Sequence, residues 1–159
     1  MTSTTFPVTP KGYEKLKEEL SHLKRVERPK ISSEIGAAIE LGDLSENFEY
    51  HSAKDKQGMI EAKIRDLENK VSRATVIDPK GLSGERVVFG ATVTIEEIDS
   101  GNQRVFQIVG ENEIDIENGR ISVVSPLARA LISKEVGDEV RIPSKGGPKL
   151  VEISEVEFK

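Results

Sequence analysis

The sequence predicts an α+β protein in which an N-terminal antiparallel coiled-coil helical hairpin precedes a compact C-terminal antiparallel β domain with one helix. Up to about residue 78, apolar residues recur at three- and four-residue intervals, the spacing of a stripe along one helix face. From about residue 81 they form short β-rich runs that turn-forming residues separate. We therefore expect two domains, residues 1–78 and 79–159.

The composition agrees with an extended helical element. Of the 159 residues, 36% are hydrophobic and 32% are charged, which is sparse for a single core and typical of solvated helix surface. Cys is absent, so neither disulfides nor thiolate metal sites contribute. The opening MTSTTFPVTP lacks the features of a signal peptide, and no 18 apolar residues run together. We expect a cytoplasmic protein without a membrane partner.

The first arm of the hairpin is predicted to begin at Thr9, because a Thr hydroxyl caps free helix donors and Pro10 suits the first helical position. Pro29 removes a backbone donor and is expected to kink the helix or step its register. The apolar stripe of this arm consists of Tyr13, Leu16, Leu20, Leu23, Ile31, Ile35, Ala38 and Leu41.

A turn near residues 42–45 separates the two arms. Gly42 suits the left-handed end of one helix, and Asp43 or Ser45 suits the cap of the next. Asp43 followed three residues later by Glu46 also fits a capping box. A second, nearly equal stripe with heptad spacing follows, so the arms can fold back and bury each other. Its members are Tyr50, Ala53, Gln57, Ile60, Ile64, Leu67, Val71 and Ala74.

The C-terminal half is predicted to be a strongly bent antiparallel sheet with one helix near residues 126–133, which Ser125 caps. Residues 78–81, with the sequence DPKG, are the expected linker between the domains. The predicted strands are residues 87–89, 91–95, 104–109, 121–124, 140–142 and 150–156.

The charge pattern restricts the class of function. The formal net charge of −5 argues against broad, unassisted binding to a nucleic-acid backbone, which requires clustered Lys and Arg. Residues 1–80 hold 14 Lys and Arg side chains and 14 acidic ones, yet residues 31–53 contain no Lys or Arg. The stretch around the turn is therefore purely acidic. Its acidic residues are Glu34, Glu40, Asp43, Glu46 and Glu49.

Asp43 and Glu46 are the candidate functional carboxylates. A turn between two long arms lacks walls that exclude water, so any chemistry there needs walls from another molecule. Mg²⁺ often binds through one or two protein carboxylates plus a phosphate group, and two-metal phosphoryl transfer relies on such ions. Alternatively, both residues only cap a helix, where the helix dipole contributes ~0.3 to 1 kcal/mol. Composition alone leaves the two interpretations even.

Residues 42–51, with the sequence GDLSENFEYH, resemble the tip signature of the Gre transcript-cleavage factors, and residues 9–16, TPKGYEKL, resemble the start of that family. VID at 76–78, VFGATV at 88–93, IVG at 108–110 and SPLARAL at 125–131 also match in order and spacing. The resemblance spans nearly the whole chain. It also implies an FKBP-like architecture for the β-rich half, although few aromatics are present there to form a prolyl pocket.

The resemblance implies a partner and a mechanism. Members of this family bind in the secondary channel of bacterial RNA polymerase and stimulate the polymerase's own cleavage of a backtracked RNA 3′ end. By motif, Asp43 would help to hold a second Mg²⁺ shared with the polymerase site, and Glu46 would orient the attacking water. Lys54 would face the nascent RNA, and Ser125 and Pro126 would dock on the channel rim. The chain would be a monomer that holds no metal stably alone and is no enzyme by itself.

The supporting residues have simpler explanations as well. Lys54 fits an ordinary solvated charge, and helix capping explains Ser125 and Pro126 without a partner. Ile39 stands where the family commonly has a basic residue, so the basic patch is expected to be small. Phe48 and Tyr50 are candidates to brace the hairpin end or to contact the polymerase, but aromatics beside a heptad seam usually pack there.

Two rival functions remain open. The first is a regulator that enters the same channel without stimulating cleavage, although the intact motif from Asp43 to Asn47 argues against it. The second is a coiled-coil chaperone or adaptor, in which the acids only increase solubility. An autonomous nuclease is disfavoured, because the sequence contains no P-loop, EF-hand loop or His-x-x-x-His pair.

Overall fold

The computed structural model describes residues 4–159, so the first three residues of the opening segment lie outside the described part. The chain forms two compact units of an α+β protein, as the sequence predicts. One unit is Tyr13–Arg73, and the other combines the segment up to Gly12 with Ala74–Lys159.

These units do not coincide with the division predicted at residues 78 and 79. Phe6–Val8 (β1) pairs in parallel with Ala74–Val76 (β2), with Phe6 opposite Ala74. The N-terminal segment therefore groups with the β-rich unit, although the sequence places it before the hairpin. No local pattern predicts this ladder, because its strands are short and lie at opposite ends of the hairpin sequence.

The unit Tyr13–Arg73 is the predicted helical hairpin. Its first arm comprises α1 (Pro10–His22), a π-helical segment (Leu23–Glu27) and α2 (Arg28–Glu40), and its second arm is α3 (Phe48–Arg73). The side chains buried between the arms all belong to the predicted stripes. They are Leu16, Leu23, Ile31, Ala53, Ile60, Ile64 and Leu67, flanked by the partly buried Leu20, Ile35 and Val71.

Two members of the predicted stripes lie elsewhere. Leu41 is 68% exposed, because α2 ends at Glu40 and the chain leaves the seam there. Ala74 begins β2 instead of continuing α3. Within the described residues, no helix is long and apolar enough to cross a membrane.

The π-helical segment absorbs one extra residue in the first stripe. Leu23 and Ile31 are eight residues apart, one more than a heptad spans. The Arg28 N–H donates to the Leu23 carbonyl five residues earlier, and Pro29 follows in the first turn of α2. The predicted effect of Pro29 is therefore found as a register step, which keeps both Leu23 and Ile31 in the buried seam.

Ion pairs link the two arms of the hairpin. The Arg28 guanidinium donates to both Glu61 carboxylate oxygens, at 2.8 and 3.0 Å, and Lys24 Nζ lies 3.3 Å from Glu68 Oε2. The hydrogen bonds from Arg28 lower the pKa of Glu61, and those to Glu61 raise the pKa of Arg28. Because Lys24 precedes Arg28 and its partner Glu68 follows Glu61, the arms run antiparallel.

The elements of the β-rich unit are β3 (Thr92–Glu97), β4 (Gln103–Val109), β5 (Arg120–Ser122), α4 (Pro126–Leu131), β6 (Glu139–Ile142) and β7 (Lys149–Glu157). The five strands form one sheet with the order β5-β4-β3-β7-β6. The pairs within β4-β3-β7-β6 are antiparallel, as the sequence predicts, whereas the edge strand β5 pairs with β4 in parallel.

Residues 87–89, predicted as a strand, are irregular. Val87 is fully buried, and it exchanges backbone hydrogen bonds of 2.8 Å with Ser133 and Lys134. The run of apolar residues at 87–89 therefore indicates that this segment is buried. It does not indicate a strand, because a buried loop has the same composition. Similarly, the predicted linker contains a short 3₁₀ helix, Pro79–Gly81, which the Asp78 side chain caps.

Thr9 caps α1 as predicted, because its hydroxyl accepts a hydrogen bond of 3.1 Å from the Gly12 N–H. The structure adds Glu113, whose carboxylate accepts from the Thr9 hydroxyl, and from the backbone N–H groups of Thr9 and Gly110 at 3.0 Å each. A Cβ on Gly12 would overlap the Glu113 carboxyl group. A larger residue at position 12 would therefore displace the Glu113 carboxylate from the hydrogen bonds that it makes at the start of α1.

Replacing Ile64 with Ala is expected to lower the free energy of unfolding of the hairpin by about 2 to 5 kcal/mol, because it leaves a cavity in the seam. Ile64 is 1% exposed, whereas Met59 on the same helix is 71% exposed. Met59→Ala is the control and should change that free energy by less than about 0.5 kcal/mol. Helical circular dichroism during urea unfolding measures both; equal effects would contradict the buried seam.

Candidate functional site

The candidate site is the turn of the hairpin, residues 41–47, called the tip below. α2 ends before it at Glu40, and α3 begins after it at Phe48. Gly42 has a φ of 120°, a conformation that L side chains rarely adopt, so the predicted need for glycine at this helix end is confirmed.

Asn47 ends the tip and caps α3. Its side-chain Oδ1 accepts a hydrogen bond of 3.0 Å from the Tyr50 N–H. The predicted caps, Asp43 or Ser45, and the capping box formed with Glu46 are therefore wrong. The cause is a shift in the helix start, since α3 begins later than the predicted turn of four residues allows.

Asp43 is held by a local turn. Its Oδ1 accepts hydrogen bonds from the Ser45 hydroxyl at 2.8 Å and from the Ser45 N–H at 3.0 Å. The hydroxyl bond, followed by the backbone bond, lowers the pKa of Asp43 below its ordinary value. Asp43 is therefore ionised at neutral pH. Its second oxygen, Oδ2, makes no hydrogen bond to any described residue.

Glu46 lies exposed in the same turn, and its carboxylate has neither a hydrogen bond nor an ion pair within residues 4–159. The neighbouring acids Glu40 and Glu49 are exposed too. Of the acidic residues in the stretch 31–53, Glu34 has a basic partner among the described residues, Lys56 at 4.0 Å. Negative charge therefore accumulates at the tip with little compensation from the chain itself.

The tip carboxylates match Mg²⁺ in the type of donor atom that they offer. Among the described residues, no group of three or more His, Asp or Glu side chains is placed to hold a metal ion. Asp43 Oδ2 and the Glu46 carboxylate supply hard oxygen donors, the kind that Mg²⁺ prefers. Mg²⁺ commonly binds one or two protein carboxylates and fills its other positions with water or phosphate. Two carboxylates are therefore enough protein ligands for this ion.

Apolar side chains surround the acids at the tip. Phe48 is 81% exposed, so it does not pack beside the seam. It is the first residue of α3, whereas Ala53 is the first side chain of that helix in the buried seam. Three further apolar side chains in this part of the hairpin are exposed as well. They are Ile39, Leu41 and Leu44.

The structure places the remaining predicted site residues in two regions. Lys54 lies exposed in the second turn of α3, and its Nζ donates to Gln57 Oε1 at 3.2 Å. Ser125 and Pro126 belong to the β-rich unit, where the Ser125 hydroxyl accepts from the Ala128 N–H at 3.2 Å and caps α4. Asp43 and Glu46 thus share one turn with Lys54 nearby in sequence, whereas Ser125 and Pro126 do not belong to that unit.

The sequence analysis missed the role of Asn47. Its cap is readable in principle, because Asn is among the preferred N-cap residues. Its second bond, from Nδ2 to the Ala38 carbonyl at 2.6 Å, joins the end of the tip to the first arm. Nothing in the local sequence signals that bond, since it depends on how closely the two arms approach.

Comparison with known proteins identifies the class of protein to which this hairpin and tip belong. Residues 6–76 match the family model "Transcription elongation factor, N-terminal", and residues 82–158 match "Transcription elongation factor, GreA/GreB, C-term". Together the two models define a transcription elongation factor. The chain belongs to the GreA/GreB family of these factors.

Individual relatives are similar over nearly their whole length. Transcription elongation factor GreA of Phenylobacterium zucineum is 52% identical over 152 residues, 96% of this chain and 97% of that protein. The protein of the same name from Francisella philomiragia is 51% identical over 160 residues, 100% of both chains. A solved structure, GreA factor homolog 1 (Gfh1) of Thermus thermophilus, is 26% identical with a TM-score of 0.44, covering 96% of this chain and 99% of that one.

Replacing Ser45 with Ala is expected to raise the pKa of Asp43 toward its ordinary value, because the stronger of its two donors is removed. Since the pKa is lowered in the folded state, the Ser45 bonds stabilise the tip at neutral pH, and this contribution is lost as the pH falls through the folded-state pKa. NMR titration of the Asp43 carboxyl carbon measures the shift. Ser52→Ala, on the exposed surface of α3, should leave it unchanged. An identical Asp43 titration in both variants would contradict the assignment.

Proposed function

We propose that this protein is a transcript-cleavage factor, which inserts its hairpin tip into the secondary channel of bacterial RNA polymerase. There it stimulates the polymerase to cleave the 3′ end of backtracked RNA and so rescues arrested complexes. The observation that carries the proposal is the pair Asp43 and Glu46, exposed in one turn between two long helices and without basic partners in the described chain. Membership of the GreA/GreB family supports it.

The exposure of the tip supports an assisting role instead of an independent one. A catalytic pocket needs walls that exclude water, and Asp43 and Glu46 are open to solvent. In the proposed complex the polymerase supplies those walls and the substrate RNA. The chain contributes carboxylates to a site that it does not enclose, so we regard it as a stimulator and not as an enzyme.

Each tip carboxylate has a role in the proposed mechanism. Ser45 holds Oδ1 of Asp43, which leaves the ionised carboxylate with Oδ2 available to bind a Mg²⁺ shared with the polymerase. Such an ion would supply half of a two-metal phosphoryl transfer, in which one ion activates the attacking water and the other stabilises the departing oxygen. Glu46 accepts a hydrogen bond from the attacking water and orients it toward the RNA phosphate.

Other residues contribute to binding in this proposal. Lys54 pairs with the neutral Gln57 side chain, so its charge is not compensated there and is available to an RNA phosphate. Ile39 supplies no second charge, so this electrostatic contribution is small. Pro126 is exposed beside the capping Ser125, and we assign these two residues to docking on the rim of the channel.

Replacing Asp43 with Asn is expected to reduce the stimulated cleavage rate by about 10² to 10³, as for the loss of one stabilising group of a transition state. Glu46→Gln should also slow cleavage. The assay measures RNA 3′ cleavage in stalled elongation complexes with purified protein. Asp55→Asn is a matched control, because Asp55 is an exposed acid on α3 outside the tip.

The wild-type protein separates the rival functions in the same assay. Acceleration of cleavage in stalled complexes, with no effect on free RNA, supports the proposal. Binding to core polymerase that inhibits elongation without cleavage would indicate the regulatory function. Failure to bind core polymerase in a pull-down would favour a chaperone or adaptor.

Replacing Lys54 with Ala is expected to raise the concentration of factor needed for half-maximal cleavage and to change the maximal rate little, because a phosphate contact contributes binding. The increase should diminish at higher salt. Lys63→Ala removes an exposed charge farther along α3 and serves as the control. Equal behaviour of the two variants would remove Lys54 from the RNA contact.

A further inference from the structure

We propose that Asn47 is a positioning residue for the stimulated cleavage, which acts by locking the two helix ends on either side of the carboxylates. This inference rests on the proposed function and assigns a residue to it. The Asn47 carboxamide lies between the arms: Nδ2 donates to the Ala38 carbonyl near the end of α2, at 2.6 Å, and Oδ1 accepts from the Tyr50 N–H in the first turn of α3, at 3.0 Å.

The two bonds close a ring around the residues that carry the chemistry. Asp43 and Glu46 lie in the segment between Ala38 and Asn47, so the bridge fixes both ends of that segment. Asn47 is half-buried, whereas the other residues of the tip are exposed. Asn47 is therefore the least exposed side chain of the tip. Its two hydrogen bonds hold the tip to the helices on either side.

The remaining bonds within the tip are local or long. Ser45 holds Asp43 from two residues away and sets the carboxylate only relative to its own turn. The contact between His51 Nε2 and the Ser45 carbonyl is 3.4 Å, near the limit for a hydrogen bond. The Asn47 bridge is thus the short bond that relates the acidic turn to both arms.

The chemistry of the carboxamide explains why Asn stands at this position. Ser and Asp cap helices about as well as Asn, so capping alone does not require a carboxamide. Asn offers an acceptor and two donors at once, whereas an ionised Asp offers acceptors only. A Ser hydroxyl is shorter and cannot serve both Ala38 and Tyr50 from one backbone position. The bridge therefore needs Asn, while the cap does not.

The consequence for the proposed reaction follows from the sensitivity of catalysis to position. A displacement of about 1 Å at a reacting group can cost on the order of 10²-fold in rate. The tip holds its carboxylates without surrounding walls, so the bridge determines where Asp43 and Glu46 lie relative to the arms. Loss of the bridge should reduce the chemistry and leave the binding surface of the arms unchanged.

The test uses Asn47→Ser and Asn47→Asp in the full-length protein. Both variants keep an acceptor for the Tyr50 N–H and lose the donor to Ala38. We expect the maximal rate of stimulated cleavage to fall about 10- to 10²-fold, while the concentration for half-maximal cleavage changes less than about 3-fold. Helical circular dichroism should match the wild type, because the cap is kept.

Matched controls separate the bridge from charge. Ser52→Asp adds a negative charge on the exposed surface of α3 without touching the bridge, and it should keep the wild-type maximal rate. If Ser52→Asp and Asn47→Asp lose activity equally while Asn47→Ser keeps it, charge explains the loss and the proposal is overturned. Wild-type maximal rates in both Asn47 variants would overturn it as well.

A measurement independent of cleavage keeps this proposal distinct from the proposed function. NMR order parameters of the backbone amides at residues 43–46 should fall in Asn47→Ser, and the Asn47 side-chain NH₂ of the wild type should exchange slowly with solvent. If the wild type fails to stimulate cleavage, the proposed function is wrong, and these order parameters alone decide whether the bridge positions the tip. Unchanged order parameters would refute it.

Discussion

Burial of the apolar seam between the two arms is the interaction on which the rest of the hairpin depends. Isolated helices of the length of α2 are marginal in water, because nucleation fixes several residues for one hydrogen bond. Burying apolar surface contributes roughly 25 cal/mol per Å², and fully buried side chains such as Ile31 and Ile64 are large contributors. The helices therefore persist because each covers the other. The π-helical segment shows the strength of this constraint, since the backbone deviates there and keeps the seam closed.

A seam that stabilises the arms allows the tip to be poorly stable by itself. Acids crowded without basic partners repel one another. An exposed apolar ring such as Phe48 contributes no burial energy to the fold. Natural proteins commonly lose some stability where function needs exposed or strained groups. Here Asp43 and Glu46 stand at the end of the seam, where the helices that hold them have already gained their stability. The hairpin thus separates the residues that fold the unit from those proposed to act.

The parts of the fold that were predictable are those that local periodicity determines. An apolar residue every three or four positions reports which helix face is buried, so Leu16 and Ile64 were correctly placed in the seam. The same information cannot distinguish a buried strand from a buried loop, and Val87 was assigned wrongly for that reason. Contacts between residues far apart in sequence, such as Thr9 with Glu113, leave no periodic signal at all. They follow from tertiary packing.

The sequence predicted that Asp43 and Glu46 lie in the turn of the hairpin, but it did not predict which hydrogen bonds they make. The main alternative held that Asp43 and Glu46 only cap a helix. That alternative requires their oxygens to accept from the first N–H groups of α3, yet Asn47 accepts there, and Asp43 accepts from Ser45. Glu46 has no partner in the described chain. With capping assigned to Asn47, Asp43 keeps only its local turn with Ser45, and the local structure gives the Glu46 carboxylate no structural role; their charge is what the proposed function explains.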